Sequence, residues 1–586
     1  APHAHEVHVV GDFNYWNGEN HGMNRMPDSG IWWLFVPYIE EGASYKFEII
    51  TPHGDRFLKA DPFAFRSELR PGTASIVHNN QHFEWTDHQW MNRDREPAIY
   101  NKPMNIYEVH PGSWKTKSDG AFYTYEELAY DFLDYVVDMG YTHIEFMPLA
   151  EHPYDRSWGY QITGYYSITS RYGTPEQFKF FVNRCHERGI GIILDWVPAH
   201  FVRDEHGLRQ FDGSPLYEYA DPRKADKPLW GTLTFDYGKP EVSGFLISNA
   251  IYLMEVYHID GLRVDAVASM LDLNFDKPHD MWMTNDDGST DNLEALAFLR
   301  KLNETVFHYY PNALMIAEDS SDRPLVSSPT DIGGLGFNYK WNMGWMNDIL
   351  RYMLIEPEHR GSHQNKLLFS FLYTYSENFI LPMSHDEVVH GKRSLLNKMN
   401  GDMWRKFADL RLLLTFMYIH PGKKLLFMGS EFGQFDEWKD LEQLDWQLLA
   451  EYETHQKMHR YVRELNHVYQ HEPALWELDH DASGLLWIDA NHTSQRVICL
   501  VRRAKNSDEF ILAVFNFSAE VFQNYRVGVP KSGMYNEILN SDLACYGGSD
   551  QINPYPLQSQ DNSWHGQPYS IEITVPPLGG AYFKRS

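Results

Sequence analysis

An arginine and an aspartate stand two residues apart, Arg263 and Asp265, where the apolar run Tyr257–Leu262 ends. A strand has a period of two, so both side chains point to the same side. If that side faces the core, two charges are buried together, which is costly unless they pair. One reading is a structural ion pair. The other is a carboxylate kept ionised by its arginine neighbour, as a nucleophile requires. Similar groups recur where other apolar runs end: Asp195 near the end of Ile190–Val197, Glu318-Asp319 after Ala313–Ala317, and Ser384-His385-Asp386 after Asn378–Met383. The chain has no Cys/His metal spacing, no glycine-rich phosphate loop and no serine nucleophile elbow. Carboxylates from different strands remain, with Arg and His beside them. Two carboxylates flanking a bond, one ionised and one protonated, are what glycoside chemistry requires. Asp319 beside Glu318 is expected to raise the Glu318 pKa by like-charge repulsion.

Such groups need a scaffold of repeated strand ends, and the middle of the chain provides one. From Met104, strand-like runs alternate with helical ones: Asn105–His110, a helix over Tyr123–Met139, then Tyr141–Leu149. Thr174–Arg188 reads as a helix with Thr174 as N-cap, Pro175 at the first position, Gln177 completing a capping box and Gly189 as the stop. Its Phe178, Phe181, Val182 and Cys185 share one face, so Cys185 is core. Ile190–Val197 is unbroken apolar apart from Asp195, as a parallel strand buried on both faces would be. A polar insertion, about Arg203–Tyr237, separates it from a helix ending near Tyr257. A long loop, Leu271–Asp291, precedes a helix over Asn292–Tyr309; later strands are Gly336–Lys340, Asn378–Met383 and Lys424–Met428, the last leading to Glu431. Eight strands with intervening helices predict a (β/α)8 barrel, whose active site lies at the C-terminal strand ends.

Short strands with turn signals flank this region. Residues 1–95 contain Glu6–Val10, Ile31–Val36 and Tyr45–Ile50 and predict an N-terminal β-sandwich. Phe13, Tyr15, Trp16, Trp32 and Trp33 are read mostly as its core, although they could form a ligand platform. Strands return in 473–586 (Leu485–Ile488, Arg496–Arg502, Phe510–Phe517, Phe522–Val529 and Ile571–Val575), and Pro576–Phe583 closes a second β-sandwich. The expected division is therefore 1–95, a barrel over 96–472 with an insertion near 203–237 after strand 3, and 473–586. At 586 residues several domains are expected.

Composition narrows the function. The net charge of −29 argues against nucleic acid or an anionic membrane as partner. No apolar run reaches spanning length. Three scattered cysteines, Cys185, Cys499 and Cys545, fit a reduced cytoplasm better than a disulfide framework. Aromatics are high at 15%; most are expected in cores, but sugar clefts also use aromatic faces. The start Ala1-Pro2-His3-Ala4-His5 is no signal peptide and lacks Met, so the natural N-terminus is expected upstream.

Four segments in order, Asp195-Trp196-Val197-Pro198-Ala199-His200, Gly261–Ser269, Ala317-Glu318-Asp319-Ser320 and Leu381–His390, resemble the four ordered regions of the α-amylase family, glycoside hydrolase family 13. Their flanks, with Ile106–Trp114 and Trp158-Gly159-Tyr160-Gln161, resemble its glycogen-branching members. Gly11-Asp12-Phe13-Asn14-Tyr15-Trp16 resembles a carbohydrate-binding module of family 48. The resemblance implies Asp265 as nucleophile, Glu318 as general acid/base and Asp386 as third carboxylate. It implies that Arg263 orients Asp265, that Asp195, His200 and His385 grip the sugar, and that Tyr160 stacks beneath it. It implies cleavage of an α-1,4 bond and transfer of the chain to a 6-hydroxyl, with glycogen or amylose as donor and acceptor and no cofactor.

The chain departs from the family in places. Asp319 stands where the family usually has a second Glu. Ala199 replaces the Asn of calcium-binding amylases, so no metal is expected. The 271–291 loop, with Trp282, Asp286 and Asp287, matches poorly and is as readily a variable loop as a determinant of chain length. Glu387 and His390 are as readily structural as substrate contacts. A monomer is expected. A hydrolase of the same family, or a non-catalytic glucan-binding protein, are the competing functions.

Overall fold

The computed structural model describes residues 1–93, 98–492 and 494–586. The boundary expected at 95/96 lies outside the described residues. Eight strands form a closed barrel: Asn105–Val109, His143–Phe146, Gly191–Trp196, Gly261–Val264, Leu314–Ala317, Tyr339–Trp341, Phe379–Met383 and Lys423–Phe427. Each observed strand overlaps a run read from the sequence, most of them trimmed at their ends; the sixth is displaced C-terminally, to Tyr339–Trp341, and the eighth by one residue N-terminally, to Lys423–Phe427.

The chain packs as two compact units. The first comprises Ala1–Arg95, His110–Leu133 and Glu145–Asn338. It holds strands three to five, in parallel register with Asp195 opposite Arg263 and Arg263 opposite Ile316. Gly261 opens the fourth strand because its neighbour leaves no room. A Cβ there would lie 2.5 Å from that of Leu314. The helix Pro175–Glu187 has the expected capping box, Thr174 with Gln177, and stops at Gly189 with φ +79°. Phe178, Phe181, Val182 and Cys185 are all buried on it.

Three expectations are corrected. The helix read over Tyr123–Met139 is broken into Tyr125–Leu128 and Asp131–Asp138, because the Ala129 N–H turns back on the carbonyls of the first piece. The 203–237 insertion is not a bare polar loop. A short helix, Pro222–Ala225, lies within it, and Phe201–Val202, Thr232–Leu233 and Asp226–Lys227 pair in that order. The N-terminal aromatics are largely not core: Tyr15 is 94% exposed, Trp33 54% and Trp16 42%. Tyr15 and Trp16 follow a single 3-10 turn, Asp12–Asn14, with left-handed φ of 55° and 62° that carries them off the sheet. The module core is aliphatic instead, from Val7, Val9, Val10, Ile49 and Ile50. Its main sheet orders Glu6–Gly11, Ser44–Ile50 and Arg56–Lys59, with Ser75–Ile76 added to the second. A separate pair is Asn24–Arg25 with Trp32–Trp33, so the strand expected over Ile31–Val36 shrinks to two residues.

The second unit comprises Glu96–Val109, Asp134–Ile144 and Tyr339–Ser586. Strands six, seven, eight and one pair in parallel there, with Lys340 opposite Phe379, Ile380 opposite Lys423 and Phe427 opposite Glu108. Towards the C-terminus, a six-stranded antiparallel sheet and the pair Phe522–Val529/Tyr569–Val575 share a core that includes Val501, Leu512, Val527 and Ile573. Met534–Asn540 is a strand of the larger sheet that the sequence reading missed. Among the described residues, no helix is long and apolar enough to cross a membrane.

Candidate active site

In the first unit, the register of strands three to five sets the geometry. Asp195 is the second-last residue of its strand; Asp265 and Glu318 each lie just past the end of theirs. Arg263, on the strand between, is 1% exposed. Its Nη1 donates to Asp195 Oδ2 at 2.7 Å and to Asp265 Oδ1 at 2.8 Å. Its Nη2 lies 3.8 Å from Glu318 Oε2. Burial opposes the guanidinium charge, yet Asp195, Tyr160, Asp265 and Glu318 outweigh it and hold its pKa well above the ordinary value. The pairing of Arg263 with Asp265, read from period two, is present, and Asp195 shares it.

The turn after Asp265 completes the arrangement. Ala266 has a left-handed φ of 51°, a strained position for a residue with a Cβ. It caps the helix Val267–Leu271 and donates its N–H to Glu318 Oε2 at 2.7 Å. Asp265 and Glu318 therefore hang from adjacent strand ends around one guanidinium.

Tyr160 donates to Asp195 Oδ2 at 2.6 Å. Gly159 before it has φ +95°, and a Cβ there would meet the Pro148 carbonyl at 2.2 Å. His200 is buried, with Nε2 3.9 Å from Asp265 Oδ2. Burial lowers its pKa to about 3, helped by Lys227, so the imidazole is neutral.

In the second unit, His385 and Asp386 follow the seventh strand. Glu108, buried on the first strand, accepts from the His385 N–H at 3.0 Å and lies 2.5 Å from its Nδ1. The His385 Nε2 is 3.4 Å from Asp386 Oδ1, and the Asp386 side chain is 44% exposed. Lys392 donates to the Asp386 carbonyl and to Glu387 Oε1, which ties Glu387 into local structure. Sequence reasoning did not single out Glu108 or Lys227. An acid inside the apolar strand NIYEV was the available signal for the first. Among the described residues, no group of three His, Cys, Asp or Glu side chains is placed to hold a metal ion.

A (β/α)8 barrel with an arginine-held carboxylate pair past its fourth and fifth strands, preceded and followed in the chain by antiparallel β domains, defines the α-amylase class. Residues 129–223 and 231–525 match the alpha amylase catalytic domain family, 1–64 the carbohydrate-binding module 48 family (isoamylase N-terminal domain), and 487–586 the alpha amylase C-terminal all-beta domain family. Within that class, a protein of Halothermothrix orenii named 1,4-alpha-glucan branching enzyme GlgB is 55% identical over 584 residues, covering 100% of this chain and 92% of the relative. One of the same name from Geobacillus stearothermophilus is 55% identical over 579 residues, covering 99% and 89%. The chain belongs to the 1,4-alpha-glucan branching enzyme family. Two solved structures share the fold: a putative alpha amylase from Salmonella typhimurium (TM-score 0.69, 18% identity, 100% and 96% covered) and a pullulanase from Bacillus acidopullulyticus (0.73, 15%, 100% and 73%).

Proposed function

We propose that the chain is a 1,4-α-glucan branching enzyme that cleaves an α-1,4 bond and transfers the chain to a 6-hydroxyl, with glycogen or amylose as donor and acceptor. The observation that carries this reading is the 55% identity to branching enzymes across the whole chain. The chemistry follows from the carboxylates. Asp265, ionised beside Arg263, attacks the anomeric carbon while Glu318 protonates the departing 4-oxygen, leaving a glycosyl ester on Asp265. Glu318, now a base, takes the proton of an acceptor 6-hydroxyl; that oxygen attacks the same carbon and Asp265 leaves. Two inversions retain the α-configuration.

Asp386 is the third carboxylate, a role that rests on its sequence motif; His385, steadied by Glu108, stands beside it in the chain. Asp195 and His200 hold the ring at Asp265, and Tyr160, tied to Asp195, forms the platform beneath. His200 is neutral, so it can both donate and accept toward sugar hydroxyls. The proposed division is 1–95, 96–472 and 473–586, acting as a monomer in the cytoplasm, where buried thiols stay reduced.

Incubation with amylose tests the reading. Iodine absorbance falls, reducing ends stay nearly constant, and isoamylase then releases short chains. Reducing ends that rise in step with the loss of colour make the protein a hydrolase. Amylose that binds without either change makes it a glucan-binding protein.

A further inference from the structure

The insertion after the third barrel strand carries a buried lysine that the mechanism above does not use. Lys227 lies on the short strand Asp226–Lys227, opposite Thr232, and is 5% exposed. Its Nζ donates to the Ser269 carbonyl at 3.1 Å, on the helix that follows Asp265. The same ammonium lies 4.7 Å from the centroid of the Trp230 ring. The turn that returns Trp230 to Lys227 is closed by the Gly231 N–H on the Lys227 carbonyl at 3.0 Å. Trp230 meets His200 edge-on, with ring centroids 5.1 Å apart, and His200 Nε2 is 3.9 Å from Asp265 Oδ2. One cation thus touches the main chain after the proposed nucleophile and the ring that backs its histidine. Two polar atoms along this wall, His200 Nδ1 and Ser269 Oγ, are buried with no hydrogen-bond partner among the described residues.

We propose that Lys227 is a positioning residue of the branching reaction, its charged ammonium fixing Trp230 against His200 and so shaping the wall that holds the glucosyl ring at Asp265. The inference rests on the function proposed above. Cation–π attraction is strongest where the cation is desolvated, as here. It vanishes when the amine is neutral, whereas the N–H bond to Ser269 persists, so losing the charge frees the tryptophan without unfolding the turn. Burial, joined by Lys277 and opposed by Asp276 and Asp265, lowers the Lys227 pKa to about 7. Other charged or titratable groups on the packed elements include the Arg203–Asp226 ion pair, neutral His200, the Arg223–Asp221 and Lys224–Glu294 pairs on the helix before Lys227, and Asp272 at the end of the helix that carries Ser269. The turnover rate therefore falls as pH rises through about 7.

Purified full-length wild type, K227R and K227M are compared on amylose from pH 5 to 9, scoring isoamylase-released branches for kcat and KM, with thermal melts as a fold check. An arginine stays charged throughout this range. K227R is expected to move the alkaline midpoint of kcat up by about one pH unit or more. K227M is expected to lose roughly tenfold in kcat at pH 6, with KM changed less than about twofold, since misplacement near the reacting centre acts on turnover. A K227R profile that keeps the wild-type midpoint overturns the proposal, because the limb then belongs to the general acid alone. So does a folded K227M with wild-type kcat and profile. If K227M does not fold, the K227R midpoint decides. A wild type that makes no branches removes the function proposed above, and this inference with it; a wild type that branches with indifferent variants removes only this inference.

Discussion

Replacing Arg263 by methionine strips the counter-charge from two buried carboxylates at once. The guanidinium is 1% exposed and bonds Asp195 at 2.7 Å and Asp265 at 2.8 Å, with Glu318 at 3.8 Å. Removing one partner of a buried ion pair costs about 3–5 kcal/mol. Each 1.36 kcal/mol is about a factor of ten in rate, so a cost expressed in the transition state is a loss of about 10²- to 10⁴-fold. The stranded carboxylates reduce that cost by taking up a proton, and a protonated Asp265 does not attack. The activity of R263M should therefore recover in part toward alkaline pH. The wild type should show no Arg263 step: the folded pKa is raised, so the contribution is full below the ordinary arginine value and is lost only above it. The assay is kcat/KM for branching from pH 5 to 9, with thermal melts alongside. A variant that loses stability but keeps wild-type activity and profile would return Arg263 to the structural ion pair that the sequence also allowed.

Burial lifts the Glu431 carboxyl from 4.5 to about 7, against hydrogen bonds from Tyr135 and Tyr107. Its stabilising effect is full below about 4.5 and lost as pH rises through about 7, so E431Q should gain up to roughly 3 kcal/mol on the wild type between pH 5 and 8; parallel urea-unfolding curves would refute this. Burial lowers the His186 pKa, but Asp260 and Asp87, bonded at 2.9 and 2.7 Å with Arg93 and His258 on the same carboxylates, outweigh it and leave it raised. That contribution is full below the ordinary histidine value and lost as pH rises through the raised one, so H186Q should lower the melting temperature more at pH 6 than at pH 9; equal losses contradict it. Burial pushes the thiols of Cys185 and Cys499 well up, whereas Cys545 is half-buried. Iodoacetamide should label one thiol in the native chain and three after urea, and rapid labelling of two or more native thiols would count against that packing.

The parts of this fold legible in the sequence are those whose physical signal is local. Parallel strands buried on both faces are largely apolar, so Gly191–Trp196 stood out, and the one charge near its end, Asp195, marked the site. Arg263 could be paired with Asp265 because the two are separated by one residue where a strand ends. Its second partner, Asp195, is 68 residues away, and only strand order brings it opposite. Glu108 and His385 lie 277 residues apart, so an acid in a buried strand was visible but its purpose was not. Lys227 was least legible. In Asp-Pro-Arg-Lys-Ala-Asp-Lys-Pro it reads as one of several solvated charges, and strands of two residues carry no period to say otherwise. Its burial is made by pieces that arrive later: Trp230 at the turn, the Ser269 carbonyl, and a loop whose Lys277 reaches back to the carbonyls of Arg223 and Lys224. A buried charge whose cost is met by distant main chain leaves no mark on its own segment. The positioning groups of a site are therefore harder to read than the groups that react, whose types alone declare the chemistry.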